Sequence, residues 1–232
     1  MLFIGVIWLK IYKFIHHTPR NRKKMTDSYA LAVFCKTPEL GLVKTRLAAS
    51  VGNQKALEIY LDLLKITDGE TKPFSSSRYV FLTSALEDSL EKMRSTLQQQ
   101  DLFTDPETSY IAQQGEDLGE RMNLAFRNLF QNHESAVLIG CDLPELTSTL
   151  ITQAFQALQN NDLVLGPSND GGYYLIGLKK EAPDLFKEIS WSTEKVLKHT
   201  LERAEGLSLK VQLLDRLRDI DTLEDLNLSQ LK

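Results

Sequence analysis

The sequence predicts one α/β domain with a mostly parallel central sheet flanked by helices. Two observations carry this. Short continuous apolar runs recur along the chain, the pattern of strands buried on both faces. Between them stand segments whose apolar residues fall at helical spacing. Strands alternating with helices in this way build a parallel sheet covered on both sides.

The elements follow in order. Leu31-Ala32-Val33-Phe34 reads as the first strand, and a loop with Pro38 and Gly41 leaves it. Leu57, Tyr60, Leu61 and Leu64 lie on one helical face. Tyr79 to Leu82 is a second strand, and Leu86, Leu90, Met93 and Leu97 mark an amphipathic helix. Tyr110-Ile111-Ala112 is a weaker third strand. Asp117, with Glu120 three residues on, reads as a capping box for a helix burying Leu118, Met122, Ala125, Phe126 and Leu129. Ala136 to Gly140 is the clearest buried strand, and the next helix has its stripe at Leu150, Ile151, Ala154, Phe155 and Leu158. Leu163 to Leu165 and Tyr173 to Leu178 are strands around a glycine-rich turn. A helical stretch near 192–204, a strand at 209–214 and a terminal helix from about 222 complete the chain.

Composition narrows the function. The 232 residues are 42% hydrophobic and 25% charged, an ordinary globular balance in which one domain is the default. Two cysteines make no disulfide framework, and histidines at 16, 17, 133 and 199 make no zinc site. A reducing cytoplasm is the simplest compartment for such a chain. The net charge of −4 hides an asymmetry. Residues 1–25 hold six bases and no acid, leaving 21 bases against 31 acids in the remainder. An acidic body is a poor nucleic-acid binder, because phosphate contacts need clustered cations. A body of this kind would handle phosphates with a local cation cluster, with or without a metal.

The first 25 residues read as a leader outside the fold, with the domain spanning 26–232. The apolar run Leu2 to Leu9, extended past Lys10 and Lys13, is too short and too interrupted to span a bilayer. Its charge follows the apolar stretch, the reverse of a secretory signal. Met25 as the working start is the simpler expectation. An interfacial anchor with a basic flank is the alternative, and membrane contact would then be confined to residues 1–24.

In a parallel sheet ligands gather at the carboxyl ends of strands, so the chemistry is sought there. After the first strand Lys36, Lys44 and Arg46 fall within eleven residues, on a loop that leads into a helix. Cations beside helix amides suit a di- or triphosphate; equally, these are three surface cations on a solvated loop. After the central strand comes Asp142, placed either to hold a hard cation or to cap a turn with Pro144. Asp170-Gly171-Gly172-Tyr173-Tyr174 joins an acid to small and aromatic residues, a mixture that suits a sugar but also makes a plain hairpin turn. Trp191 adds an aromatic face or fills the core. Asp221 with Glu224 three residues on reads as a helix cap.

Six segments in one order carry a resemblance: KTPELGLVKTRL, QQGEDLGERM, IGCDLPEL, GPSNDGGYYLIGL, ISWS and RDIDTLEDL. They resemble the rSAM/selenodomain-associated transferase family, glycosyltransferase-like proteins of the GT-A (nucleotide-diphospho-sugar transferase) fold. The likeness covers about residues 29–227. More distantly the chain is similar to 2-phospho-lactate guanylyltransferase and to molybdenum-cofactor and sugar-acid nucleotidyltransferases. By that resemblance Asp142 and Asp221 match metal-binding aspartates for Mg²⁺ or Mn²⁺. The chain departs from the nucleotidyltransferases at Leu223, where proline is usual, and in having only Gly41 in its first loop.

The resemblance implies a metal-dependent transferase with a nucleotide-activated donor and a small-molecule acceptor. Glycosyl transfer is the first expectation, nucleotidyl transfer the alternative, and a non-catalytic nucleotide-binding domain the second alternative. Lys36, Lys44 and Arg46 would neutralise the donor phosphates. Gln114, Gly115 and Arg121 would border the base and ribose. Asp170 would meet the acceptor hydroxyl as catalytic residue, with Gly171, Gly172, Tyr173 and Trp191 along the substrate.

Overall fold

Tyr29–Lys36 (β1) lies inside a seven-stranded sheet, and six consecutive residues of it, Ala30 to Cys35, are buried. Alternation divides them. Leu31, Val33 and Cys35 enter one core cluster, while Ala30, Ala32 and Phe34 enter the other. A strand with apolar residues on both faces needs a cover on each, and the helices provide it.

The structure is a computed structural model and describes residues 28–229 and residue 231. The expected leader lies outside the described residues. After β1 come helices Thr45–Val51 (α1) and Asn53–Thr71 (α2), strand Arg78–Thr83 (β2), helix Leu90–Gln98 (α3) and strand Ser109–Ala112 (β3). Helix Leu118–Leu129 (α4), strand Ser135–Ile139 (β4), helix Ser148–Leu158 (α5) and strands Leu163–Pro167 (β5) and Tyr173–Leu178 (β6) follow. Helix Val196–Gly206 (α6), strand Val211–Leu213 (β7) and helix Leu223–Leu228 (α7) end the fold. The sheet order is β3-β2-β1-β4-β6-β5-β7. All strands run parallel except β6, which is antiparallel to β4 and β5. Helices α2, α3 and α5 pack on one face, and α4 and α6 on the other. Among the described residues no helix is long and apolar enough to cross a membrane.

The chain moves outward from β1 to β2 and β3, then returns to place β4 on the other side of β1. That reversal opens a crevice above the β1–β4 boundary. Cys35 and Cys141 flank it. The register pairs Val33 with Ile139, which directs the two cysteines to neighbouring positions two residues on. Both thiols are free and buried.

Several element expectations shift. Leu86 lies before the helix it was assigned to, because Ser89 caps α3 by accepting from the Lys92 amide. Leu118 is 45% exposed rather than buried. Asp117 caps α4 as expected, but the Glu120 carboxylate accepts from the Glu116 amide and not from Asp117. The final cap moves by one residue: Thr222 and Asp225 form the capping box of α7, not Asp221 and Glu224.

Arg78 opens β2 as a charged residue in an apolar strand. Its guanidinium is enclosed by Asp68 Oδ1 at 2.8 Å, Asp105 Oδ2 at 2.8 Å, Thr71 Oγ1 at 2.9 Å and Thr108 Oγ1 at 2.8 Å. Asp68 also accepts from the Phe103 amide at 2.9 Å, tying the loop before β3 to α2. This network sits at the amino end of the strands, opposite the crevice, and is structural. Removing a fully buried charge strands two carboxylates. Arg78→Met is therefore expected to cost about 3–5 kcal/mol in urea unfolding.

Candidate active site

The crevice at the carboxyl ends of the strands has a volume of about 670 Å³. Each wall is set by a local feature of the sequence. β1 ends at Lys36, whose backbone N–H donates to the Tyr60 hydroxyl at 2.9 Å while that hydroxyl donates to the Lys36 carbonyl at 2.9 Å. Tyr60 also lies 3.4 Å from the Cys141 sulfur and so clamps the ends of β1 and β4 together. Burial, reinforced by Asp142, pushes the Cys141 thiol up to about 12. It is a packed residue, not a nucleophile.

Lys44 caps α1 with left-handed backbone, φ 48°. Its side chain is only 4% exposed and reaches Asp142 Oδ1 at 2.6 Å and Asp221 Oδ1 at 3.1 Å. Asp142 leaves the end of β4. Asp221 is delivered by its neighbour Ile220, which is fully buried against Leu47, Ile59 and Leu63 and whose amide donates to the Asp142 carbonyl at 3.0 Å. The two carboxylates, far apart in sequence, thus share one ammonium. Burial alone would lower the Lys44 ammonium, but Asp142 and Asp221 together outweigh it and hold it charged, above the ordinary lysine value. Arg46, 70% exposed, stands 3.5 Å from Asp221 Oδ2.

Asp170 sits in the β5–β6 turn, where its Oδ1 accepts from the Ser168 hydroxyl and from the Gly172 amide at 2.8 Å. Gly172, Tyr173 and Trp191 line the crevice with it. Gly171 does not face the crevice. It has φ 88°, and a Cβ there would overlap the Glu194 carbonyl, so its missing side chain admits backbone and not ligand. Trp191 is both core and wall: its indole packs on Gly119, where a Cβ would overlap the ring, and its residue lines the crevice.

On the opposite side Arg121 lines the crevice, held by its Nε donating to the Gly115 carbonyl at 3.0 Å. Gly115 supports that arginine without lining the space. Gln114 is exposed and does not line the crevice. Gln113 takes its place, its amide nitrogen donating to the Phe81 carbonyl at 3.0 Å. Leu118 and Met122 add an apolar patch beside it.

Asp219 was passed over among the segments read from the sequence. It lines the crevice, and burial, with Asp170 next and then Asp221 and Asp142, raises its carboxyl from 3.8 to about 6. A carboxyl whose folded pKa is raised favours folding below its unfolded value, and that contribution is lost as pH passes through the folded one. Asp219→Asn in chelator-treated buffer is expected to melt with wild type at pH 3.5. At pH 8 it should melt roughly 2–4 °C higher, on the order of 1 kcal/mol after allowing for solvent screening. Equal melting temperatures at both pH values would remove Asp219 from the strained acid cluster.

A family model described as an uncharacterized protein conserved in bacteria (DUF2064) matches residues 71–193. The 2-phospho-L-lactate guanylyltransferase of Methanocaldococcus jannaschii is 33% identical over 110 residues, 45% of this chain and 47% of that protein, so the match spans about half the length of this curated relative. A Desulfovibrio desulfuricans protein assigned as a nucleotide-diphospho-sugar transferase has a TM-score of 0.78 at 34% identity, over 87% of this chain and 85% of its own. Rv0371c of Mycobacterium tuberculosis, solved in complex with manganese, shares the fold with a TM-score of 0.51 at 12% identity, over 87% of this chain and 97% of its own. The family match takes in Asp142, Asp170 and Trp191, and it covers more than half of the sequence. The chain belongs to the DUF2064 family, with a nucleotide-diphospho-sugar transferase as a structural relative.

Proposed function

We propose that this chain is a metal-dependent transferase that moves a glycosyl group from a nucleotide-diphospho-sugar to a small acceptor. The observation that carries the reading is the convergence of Asp142 and Asp221 on one cation at the strand ends, beside Lys36 and Arg46. Both donors are hard carboxylate oxygens, and Lys44 already stands as a cation between them. Among the described residues no cluster of three or more ligating side chains occurs. Two carboxylates are nevertheless enough for Mg²⁺ or Mn²⁺ when phosphate oxygens and water complete the shell. The residues therefore fit the ion, with Asp142 and Asp221 as its protein ligands. Bound there, it would neutralise negative charge on the leaving diphosphate.

The remaining roles belong to the chain itself. Lys36 and Arg46 offer positive charge to the donor phosphates from the exposed rim, where long side chains can follow the ligand. Gln113 and Arg121 present polar groups on the β2–β3 side, and Leu118 and Met122 present an apolar surface there for a planar base. Asp170 keeps one carboxylate oxygen committed to Ser168 and Gly172 and leaves Oδ2 to accept a hydrogen bond from the acceptor hydroxyl. Tyr173 and Trp191 flank it with aromatic surface suited to a sugar ring. Orientation and charge stabilisation supply most of the rate in such transfers.

The resemblance of the ordered segments to selenodomain-associated transferases supports glycosyl transfer. The 33% identity to a guanylyltransferase supports the second reading, nucleotidyl transfer. The products separate them. Incubation with nucleotide sugars and nucleoside triphosphates in Mn²⁺ should release a nucleoside diphosphate if a sugar moves and pyrophosphate if a nucleotide moves. Asp142→Asn and Asp221→Asn should each reduce either product at least 100-fold, consistent with losing one major electrostatic contribution. Binding of a donor with no turnover under any condition would leave a nucleotide-binding domain instead.

A further inference from the structure

We infer that Lys44 is an internal counter-ion that competes with the divalent cation for Asp142 and Asp221, so that metal entry requires the ammonium to leave. The inference rests on the metal-dependent reading above. Its basis is placement. The ammonium is 2.6 Å from Asp142 Oδ1 and 3.1 Å from Asp221 Oδ1. A divalent ion on the same two oxygens would bond at ~2.1 Å, which sets it close against an ammonium held on those oxygens and makes the two cations repel.

The lysine is also held in a way that makes a side-chain movement sufficient. Its backbone is fixed: Val43 is buried, and the Lys44 carbonyl accepts the first helical bond of α1 from Ala48 at 2.8 Å. The long side chain lies under the carboxylates with 4% exposure, whereas Asp142 and Asp221 are 42% and 39% exposed. The two acids therefore keep contact with solvent, while the ammonium they share is shut away from it. Two carboxylates that share one neighbour stay ionised together only with a cation between them; without it one of them would take up a proton. Lys44 supplies that cation in the free protein. With the divalent ion in place the lysine becomes surplus positive charge, and the nearest compensation for it is donor phosphate.

The test reads binding, not turnover. Free Mn²⁺ is followed by electron paramagnetic resonance as it is titrated with the full chain, as wild type, Lys44→Met and Arg46→Met, without nucleotide. Lys44→Met should bind Mn²⁺ about tenfold or more tightly than wild type, and Mn²⁺ should raise its melting temperature by more. Arg46→Met, which removes an exposed neighbouring charge, should change affinity by less than about threefold. Equal binding by wild type and a folded Lys44→Met overturns the competition and leaves the metal reading standing. No Mn²⁺ binding by a folded Lys44→Met overturns the competition, and the metal reading falls with it only if wild type also forms no Mn²⁺-dependent product in the assay above. Should Lys44→Met not fold, wild type decides. Mn²⁺ at saturation should increase acetylation of Lys44 by acetic anhydride relative to the exposed Lys36, and unchanged labelling with Mn²⁺ bound refutes displacement.

Discussion

The architecture of the crevice depends on one electrostatic constraint: two carboxylates side by side in a partly enclosed space stay ionised together only with a cation between them, and without it one would take up a proton. Lys44 meets that requirement, and several local features exist to keep it there. Its left-handed backbone, a conformation that costs a non-glycine residue on the order of 1 kcal/mol, turns the chain so that the side chain enters beneath Asp142 and Asp221. Ile220 fixes the C-terminal segment against α1 and α2, and its amide bonds to Asp142 bring the third partner into line. The loop after β1, the end of β4 and the segment before α7 are three separate stretches of sequence made into one wall by a single charged atom.

Four aspartates, Asp142, Asp170, Asp219 and Asp221, and four cations, Lys36, Lys44, Arg46 and Arg121, line the crevice together. Trp191 belongs to the segment leading into α6, yet it rests on Gly119 of α4, so an aromatic ring and a glycine join these two elements at the crevice wall.

The strands were legible because burial on both faces leaves a continuous apolar run, and the strand ends followed from them. Asp142 and the cations after β1 were found in that way. Errors arose where one residue of phase matters. Gln113 and Gln114 are chemically the same in sequence, and only the point where β3 stops decides which one turns into the crevice. Asp221 and Thr222 are both good helix caps, and the structure gives the role to Thr222, which leaves Asp221 free for Lys44. Tyr60 and Arg78 were invisible as functional or structural polar groups because each sits in a stretch whose apolar pattern explains it away. Gly171 was read as space for a ligand, while the space is taken by the Glu194 carbonyl, a tertiary contact that local sequence does not encode.

The small satellite core of Leu47, Ala56, Ile59, Leu63 and Ile220 ties the early helices to a residue near the end of the described chain. Lys44 and Asp221 are 177 residues apart in sequence. During synthesis, then, α1 and α2 emerge and can pack on the sheet long before Ile220 exists to cover them. Until that residue arrives, an apolar patch faces solvent and Asp142 has Lys44 to itself. Assembly of the crevice therefore waits for the segment that carries Ile220 and Asp221, and a nascent chain without that segment would carry a nearly finished sheet with an unfinished wall. Long-range closure of this kind also slows folding, because the loop entropy is lost before the final contact compensates for it.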